Sequence, residues 1–476
     1  MKYFINTLVV WLLVVATAHA QDTWSLERCI RYAQENNITV QQAEASVKLS
    51  LLAQQQAKAS RLPNVSANAN LGKQFGRTID PTTNQFSTTS TGYNSLGLNA
   101  GISLFNGGQI HHSVKQAGWD VQAAAADAAQ TSNNLALQVA RAYLNILLAS
   151  EQLENAQRRV VQSQEQLNLT QKLIDAGNTP MAEKYNFIAQ IARDEQSVIT
   201  ARNSLELGYL NLKQLMQLEP DFDLRIEQPA ITAPVATLPE SSALTDLYTV
   251  AATTQPIIRA AGFRIKSAEE GVSIARSAYY PSVSAFANLN SNYSSQFFTV
   301  TSTGDLVKGD PVIVDIGGQQ VPVSFYQAGV RYGKVPYFGQ LDQNFGQGIG
   351  LSVNVPIYQN GRTRLSVERA RLNVLTTQMQ NTQTRQQLKN DIQTAIANAY
   401  ASRQQLDAAQ KTYDATTTAF QNMGKRLSLG AVNTFDLTTA KINLDISEND
   451  LVLAKYTYLF NLKILDFYQG KPLNLN

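Results

Sequence analysis

The chain has 476 residues, of which 16% are charged, and its formal net charge is +3. A charge this small lacks the basic excess of a polyanion-binding protein, so no nucleic-acid partner is expected. Cys29 is the single cysteine, which excludes an intramolecular disulfide and a cysteine-based zinc site. His111 and His112 are adjacent and point to different sides of a helix, so neither a metal ion nor a cofactor is expected.

The first twenty residues have the pattern of a secretory signal peptide. Lys2 gives a positive start, residues 8–15 are apolar, and residues 18–20 form a small-x-small cleavage site. A membrane anchor is the alternative, but the apolar run is too short to span a bilayer. We expect residues 1–20 to be removed, and no transmembrane helix is predicted in the rest of the chain.

The mature chain repeats one long pattern twice. Leu26 to Leu71 matches Leu244 to Leu289 at an offset of 218, and SLFNGG at 103–108 matches PIYQNG at 356–361 at an offset of 253. A period this long indicates duplication of one large unit and not a solenoid. We expect a first repeat over 21–217, a proline-containing linker over 218–242, a second repeat over 243–469 and a C-terminal tail over 470–476.

Each repeat contains two segments in which apolar and small polar residues alternate, over about 63–75 and 93–105 and again over about 281–293 and 345–357. Phe286 breaks the alternation in the third segment. The length and period match a membrane-spanning strand with its apolar face toward lipid, and the alternative is a soluble sheet with one buried face. The side chains predicted to face lipid are Val65, Leu71, Leu98, Ile102, Leu289, Ile349, Leu351 and Val353.

Four strands of this kind cannot close a barrel, and hydrocarbon does not tolerate an open sheet edge. Small closed barrels begin at eight strands, so several copies must share one barrel: a dimer supplies eight strands and a trimer twelve. The loop between the strands of the second pair, about residues 295–344, is longer by 35 residues than its counterpart. Loops of this length are usually functional or disordered.

Long helices follow the strands, over about 109–176 and 361–429, and each turns back into a return helix over about 180–217 and 434–469. Apolar residues such as Val139, Ile146 and Leu153 recur every seven positions, which is typical of a left-handed coiled coil. Small residues such as Ala142 and Ala149 flank this stripe and favour a wall of helices packed side by side. An ordinary antiparallel coiled coil is the alternative.

This order of elements resembles the outer-membrane efflux protein (TolC-like) family across the whole mature chain. The motifs that carry the resemblance are RLPNVSANANLG, YYPSVSAFANLN, SLFNGG, PIYQNG and the turns at Gly177 and Gly430. It implies an α+β membrane protein, a homotrimer with a 12-stranded β-barrel in the outer membrane of a Gram-negative bacterium. It also implies a 12-helix α-barrel across the periplasm, built from the long helical hairpins, with the linker and tail as an equatorial belt.

The function that the resemblance implies is that of a passive exit duct for small molecules in a tripartite efflux system. Its partners would be a periplasmic adaptor (membrane-fusion) protein, an inner-membrane pump reached through that adaptor, and outer-membrane lipid. GQGIG at 346–350 is a strand with alternating glycines and not a phosphate-binding loop, and no catalytic constellation is present, so no enzyme is expected. The alternatives are the outer-membrane component of type I protein secretion and a periplasmic coiled-coil scaffold.

The resemblance also implies a gate near the helix turns. Asp436 matches an acidic position of the family, Thr439 stands where a second acid can occur, and Glu183 holds the place of Asp436 in the first repeat. Leu427 is grouped with them. The alternative for both acids is a favourable interaction with a helix N-terminus. The residues expected to dock the adaptor are Gly177, Asn178, Thr179, Gly430, Ala431, Val432 and Asn433.

Overall fold

The computed structural model describes residues 23–79, 84–88, 90–177, 179–229, 244–429 and 431–474. The expected signal peptide and residues 230–242 of the expected linker lie outside these ranges. The first repeat contains α1 (Leu26–Asn36), α2 (Ile38–Ala59), β1 (Asn64–Gln74), β2 (Thr78–Ile79), β3 (Phe86–Ser87), β4 (Thr91–Asn106), α3 (Gln109–Asp175) and α4 (Ala182–Met216). The second contains α5 (Leu244–Thr254), α6 (Pro256–Ser277), β5 (Ser282–Ser294), β6 (Phe298–Lys308), β7 (Val312–Ile316), β8 (Gln319–Val323), β9 (Tyr326–Lys334), α7 (Tyr337–Gln343), β10 (Gly346–Asn354), α8 (Arg362–Ser428) and α9 (Thr434–Tyr468).

The helices of the two repeats correspond in length and in spacing. The bounds of α1 and α2 reappear in α5 and α6 at an offset of 218, and those of α3 reappear in α8 at an offset of 253. Both α3 and α8 have 67 residues, and both α4 and α9 have 35. Within the described residues, no helix combines the length and the hydropathy needed to cross a membrane.

The chain divides into two compact units. The helical unit comprises the described residues of 1–52, 117–268 and 372–476, and the sheet unit comprises those of 53–116 and 269–371. In the helical unit, Val139 and Ile146 are fully buried with Leu212 in one apolar cluster, while Ile392 and Ala399 are fully buried in a second. The start of the expected linker is part of this unit, because the peptide N–H of Glu227 donates to the carbonyl of Trp24 at 3.0 Å.

Small side chains form the most buried stripe in the C-terminal half of α3. This stripe consists of Ala142, Ala149, Ala156, Ser163 and Thr170, which recur every seven residues. Leu153 and Val160, which belong to the expected apolar stripe, are only half-buried. Helix backbones approach each other closely where the facing side chains are small. Beyond Ile146, which is fully buried, the small stripe is therefore more deeply buried at the helix contact than Leu153 and Val160 of the large apolar stripe.

The sheet unit contains a four-stranded antiparallel sheet in the order β1-β4-β5-β10. Its pairing places Leu98 beside Leu289, and Ile349 beside Ala287, on one face. All eight side chains predicted to face lipid lie on this apolar face, and Leu71, Ile349 and Leu351 are 77%, 88% and 67% exposed. In the described sheet, the face between the edge strands β1 and β10 is therefore largely apolar, and much of it is exposed.

On the opposite, polar face, side chains on one strand lie over glycines on the next. The amide oxygen of Asn288 is 2.6 Å from the position that a Cβ on Gly348 would occupy, and the ring of Phe286 is 2.6 Å from that on Gly350. Phe286 thus breaks the sequence alternation because Gly350 leaves room for its ring. Tyr93 likewise lies over Gly72 on this polar face.

Two strand ends differ from the sequence-based expectation. A β-bulge between Ser103 and Phe105 brings Phe105 opposite Val283, which lies on the apolar face, so the regular alternation ends before Leu104. β10 ends at Asn354, three residues before the expected bound. Pro356 follows shortly afterwards and has no N–H to donate to a strand ladder.

The segment expected to be a long loop, 295–344, is folded. β6 pairs with β9, and β7 pairs with β8, in two successive antiparallel ladders. α7 follows and is held on β5 by side-chain hydrogen bonds: Ser291 Oγ donates to the carbonyl of Leu341 at 2.7 Å, and the N–H of Ser294 donates to Gln340 Oε1 at 3.0 Å. β6 and β7 are rich in valine, isoleucine and threonine, whose branched side chains favour strands.

Candidate functional site at the helix turns

The turn between α3 and α4 follows Asp175. Gly177 adopts a φ of +73°, and its N–H donates to the carbonyl of Ile174 at 2.9 Å, which closes the last helical turn. Only glycine takes this backbone conformation without a Cβ penalty. Of its expected docking neighbours, Thr179 is half-buried and Asn178 lies outside the described residues.

The turn between α8 and α9 is closed by a helix cap. The N–H of Ala431 donates to the carbonyl of Arg426 at 2.9 Å, and Asn433 Oδ1 accepts from the N–H of Asp436 at 2.9 Å. Asn433 is the N-cap of α9, with its backbone extended. Ala431 is exposed and Val432 is half-buried, while Gly430 lies outside the described residues.

The structure joins the first turns of α4 and α9 through Glu183. The Thr434 hydroxyl donates to Glu183 Oε2, and Asn186 Nδ2 donates to the same oxygen at 3.0 Å. Asp436 is half-buried in the first turn of α9, where the helix dipole favours a negative charge. Thr439 is exposed, and Leu427 is half-buried at the end of α8.

A buried ion cluster lies a few helical turns from these caps, where α3, α4 and α9 meet. Lys441 Nζ lies 3.1 Å from Asp445 Oδ2 and 3.6 Å from Asp194 Oδ2. Arg159 Nε lies 4.0 Å from Asp445 Oδ1. The side chains of Lys441, Asp194 and Asp445 are 4%, 7% and 12% exposed, so the charges compensate each other away from solvent.

Neutral groups complete the cluster around Asp194. The Ser163 hydroxyl donates to Asp194 Oδ2, and Gln190 Nε2 donates to Oδ1 at 2.8 Å. Ser163 therefore combines the small size that the helix contact requires with a hydrogen bond. Burial raises the pKa of Asp445 above its ordinary value, and the neighbouring Lys441 ammonium opposes this only in part. Among the described residues, no group of three or more His, Cys, Asp or Glu side chains could hold a metal ion.

Comparison with known proteins decides the family. Residues 29–216 and 322–471, together more than half of the chain, match the outer membrane efflux protein family. The chain belongs to the outer membrane efflux protein family. The outer membrane efflux protein BepC of Brucella suis is 23% identical over 454 residues, covering 94% of this chain and 86% of BepC. The outer membrane protein TolC of Escherichia coli is 24% identical over 220 residues, which span 45% of this chain and only 44% of TolC.

A solved structure shows that the fold extends over nearly the whole chain. The outer membrane channel MtrE of Neisseria gonorrhoeae, in its open state, superimposes with a TM-score of 0.70 at 21% sequence identity. The superposition covers 95% of this efflux protein and 90% of MtrE. At this level of identity the likeness concerns the fold. Family membership makes the chain an outer-membrane protein.

Large apolar side chains at the turns of this efflux protein were missed by the sequence analysis. Met181 and Tyr185 on the first turn, and Leu429 and Phe435 on the second, are 53%, 63%, 82% and 73% exposed. We call these four residues the apolar turn patch. The sequence did contain a signal for them, since each is a large apolar residue within eight positions of a turn glycine and outside the seven-residue stripe.

The buried ion cluster around Lys441 was also missed, although Lys441 and Asp445 stand four residues apart on one helix face.

The raised pKa of Asp445 leads to a prediction about the pH dependence of stability. A carboxyl whose pKa is higher in the folded state adds stability as it is protonated, and this contribution is lost as the pH rises through the folded pKa. The thermal midpoint of the wild type, relative to that of Asp445→Asn, is therefore expected to increase between pH 7 and pH 4. A constant difference across this range would contradict the assignment.

Proposed function

We propose that this outer-membrane efflux protein is a passive, trimeric exit duct that carries small molecules from a periplasmic adaptor and its inner-membrane pump to the outside. The observation that carries the proposal is the four-stranded sheet of the described residues, which has an exposed apolar face, an uncharged polar face and two open edges. An apolar face of this extent on one side and a small, uncharged face on the other suit a strand wall between lipid and water.

The open edges support the trimer. Among the described residues, neither β1 nor β10 has a partner strand on its outer side, and a sheet in hydrocarbon must have every backbone group paired. Pairing β1 of one copy with β10 of the next closes the sheet, and three copies give twelve strands. Val65 and Leu71 on β1 and Ile349 and Leu351 on β10 then face lipid around the whole barrel.

The helix turns are proposed as the gate and as the adaptor-docking end. The apolar turn patch supplies exposed surface that a protein partner would remove from water. Asp436, with Thr439 one turn further along, would contribute to an acidic ring at the gate, and Glu183 would hold the two turns of each copy together through Thr434. Binding of the adaptor opens the duct if it contacts the open arrangement more strongly than the closed one.

The experiment deletes the gene in its own bacterium. It measures two things, the accumulation of ethidium in the cells and the set of polypeptides released into the medium. Without the protein, we expect the cells to accumulate more ethidium. The wild-type gene should return accumulation to its original level, whereas a gene carrying both Leu429→Asn and Phe435→Asn should not. Leu372→Asn is the matched control, because Leu372 is an exposed residue of α8 far from the turns. This variant should restore efflux as well as the wild-type gene does. Unchanged accumulation combined with loss of one polypeptide from the medium would instead identify a protein-secretion duct. A protein that fractionates without membranes and never forms a heat-modifiable trimer would contradict both.

A further inference from the structure

α7 lies on the apolar face of the four-stranded sheet. Ser291 Oγ donates to the carbonyl of Leu341 at 2.7 Å. Asn94 Nδ2 donates to the Tyr337 hydroxyl, and the rings of Tyr293 and Tyr337 have their centroids 4.9 Å apart. The three strand residues in these contacts all belong to the apolar face by their register. The end of the long segment between β5 and β10 is therefore folded back over this face.

Next to α7, on the side away from the loop ends of the strands, the apolar face carries an open cleft of about 520 Å³. Leu341 of α7 and Phe345, just after it, form one wall, and the strands form the floor. Ser291 also lines the cleft, but its hydroxyl is already bonded to α7. The cleft thus offers apolar contact on two sides. Its floor consists mainly of small and medium-sized apolar side chains: Ala67, Ala69, Leu96, Leu98 and Leu289.

Lys73 is the single charged residue in the four strands of this described sheet. It stands two residues beyond Leu71 on β1, so its exposed side chain is on the apolar face. The contact that the structure gives its ammonium group is the ring of Phe75, whose centroid lies 5.5 Å from Nζ. A cation that faces lipid is costly at the centre of a bilayer and is tolerated near its surface. If this face meets lipid, Lys73 marks the level of the headgroups.

The internal repeat relates the level of Lys73 to that of the cleft. At the offset of 218, the counterpart of Lys73 is Ser291, which lines the cleft beside α7. Equivalent positions of the two repeats lie at the same height in a closed ring of strands, so this end of the cleft is level with Lys73. Along β1, Lys73 is four residues beyond Ala69, a distance of about 13 Å that a lipid headgroup can span.

We propose that the cleft binds an acyl chain of a phosphorylated glycolipid of the outer leaflet, and that Lys73 binds a phosphate group of the same lipid. The inference rests on the proposed function, which places the apolar face against lipid and the long loops outside the cell. A chain that lies elsewhere on the sheet contacts the protein on one side only. Between α7 and the strands, the chain gains a second set of van der Waals contacts.

The position of the site selects the lipid. α7 and Lys73 lie at the loop ends of the strands, which the proposed function places in the outer leaflet. Phosphorylated glycolipids are the main lipids of that leaflet, whereas phospholipids form the inner one. A lysine in the headgroup region attracts an anionic phosphate, and the four strands carry no carboxylate that competes for the ammonium group.

Native mass spectrometry of the full-length protein, purified in mild detergent and mixed with diphosphoryl lipid A, tests the cleft. We expect the wild type to retain one lipid per chain. Ala69→Phe places an aromatic ring on the floor of the cleft and should lower this retention severalfold. Ala287→Phe is the matched control, because Ala287 is exposed on the same face but does not line the cleft. This variant should retain as much lipid as the wild type.

Lys73→Gln tests the phosphate contact. We expect severalfold weaker binding of diphosphoryl lipid A and unchanged binding of lipid A from which both phosphates have been removed. Arg77→Gln is the matched control, because Arg77 is a neighbouring exposed cation outside the strands. It should bind both lipids as the wild type does. An equal loss of both lipids in Lys73→Gln would overturn the phosphate contact.

Two further results would overturn the inference and leave the proposed function intact. One is a heat-modifiable trimer of Ala69→Phe that retains lipid A as fully as Ala287→Phe does. The other is a wild-type trimer that binds phosphatidylglycerol as tightly as lipid A, since the site would then not be specific for the glycolipid. Absence of any membrane-bound trimer would overturn both the inference and the proposed function.

Discussion

Replacing Lys441 with methionine is expected to destabilise the turn end of the helical unit by about 3–5 kcal/mol. The side chain is 4% exposed and lies between two buried carboxylates, Asp194 and Asp445. Removing the ammonium group leaves both negative charges in a region of low dielectric without a close cation other than Arg159. Amide hydrogen exchange in α4 and α9 near the turns should increase most, since those helices carry the carboxylates.

Two control variants make this prediction specific to the charge. Lys411→Met changes an exposed lysine on α8 and should alter stability by no more than about 0.5 kcal/mol. Lys441→Met combined with Asp194→Asn and Asp445→Asn removes all three charges, and it should regain much of the lost stability because no uncompensated carboxylate remains. If the triple variant were less stable than Lys441→Met alone, the loss would come from packing and not from unpaired charge.

A second large effect is expected for Gly107→Ala in the turn from β4 to α3. Gly107 has a φ of +64°, and a Cβ at this residue would lie 2.4 Å from the carbonyl oxygen of Ser277. An alanine at this position is therefore unfavourable for two reasons. It rarely adopts a positive φ, and its Cβ would force the backbone at Ser277 to move. We expect a loss of about 2–4 kcal/mol, measured by urea denaturation in detergent and by the yield of assembled protein.

The second repeat provides the matched control. Asn360 stands at the equivalent position, at the offset of 253, and has a φ of +50°. Asn360→Ala should cost only about 1 kcal/mol, because asparagine tolerates this conformation better than alanine but no clash is added. Gly107→Asn separates the backbone penalty from the steric clash. Asparagine lowers the penalty for a positive φ but still has a Cβ that clashes with the Ser277 carbonyl, so this variant should remain strongly destabilised. A mild effect of Gly107→Asn would show that the Ser277 carbonyl moves easily.

Features governed by local periodicity could be predicted from the sequence. Alternation of apolar residues with glycine, serine and asparagine identifies the strands, because successive side chains point to opposite faces. Proline-free stretches with a seven-residue period identify the long helices, and Gly177 marks the end of one of them. The equal offsets in both halves tie these elements into one duplicated plan, so the family could be recognised although no single motif is specific.

Features that depend on which faces meet could not be predicted. In the sequence, Lys441 looks like an ordinary surface lysine, and its burial follows only from the packing of α9 against α3 and α4. Asp194 has no oppositely charged partner in its own helix that would reveal the ion pair with Lys441. The buried stripe of small residues in α3 was identified only as a flank of the large apolar stripe, because composition does not show how closely two helices approach. The bulge at Leu104 and the folded strands β6 to β9 likewise depend on cross-strand pairing beyond the range of local patterns.

Duplication within one polypeptide has a consequence for evolvability. In a ring of six separate single-repeat subunits, every contact between neighbouring subunits would be identical, so any substitution would strengthen or weaken all six contacts at once. In the trimer proposed above, fusion of two repeats would give two kinds of contact that mutate independently. The residues 253 positions before Lys441 and after Asp194, Ile188 and Ser447, show how far the two repeats have diverged at matching positions. Selection could then change the strength of the contacts between copies without changing the contacts on which the folding of each polypeptide depends.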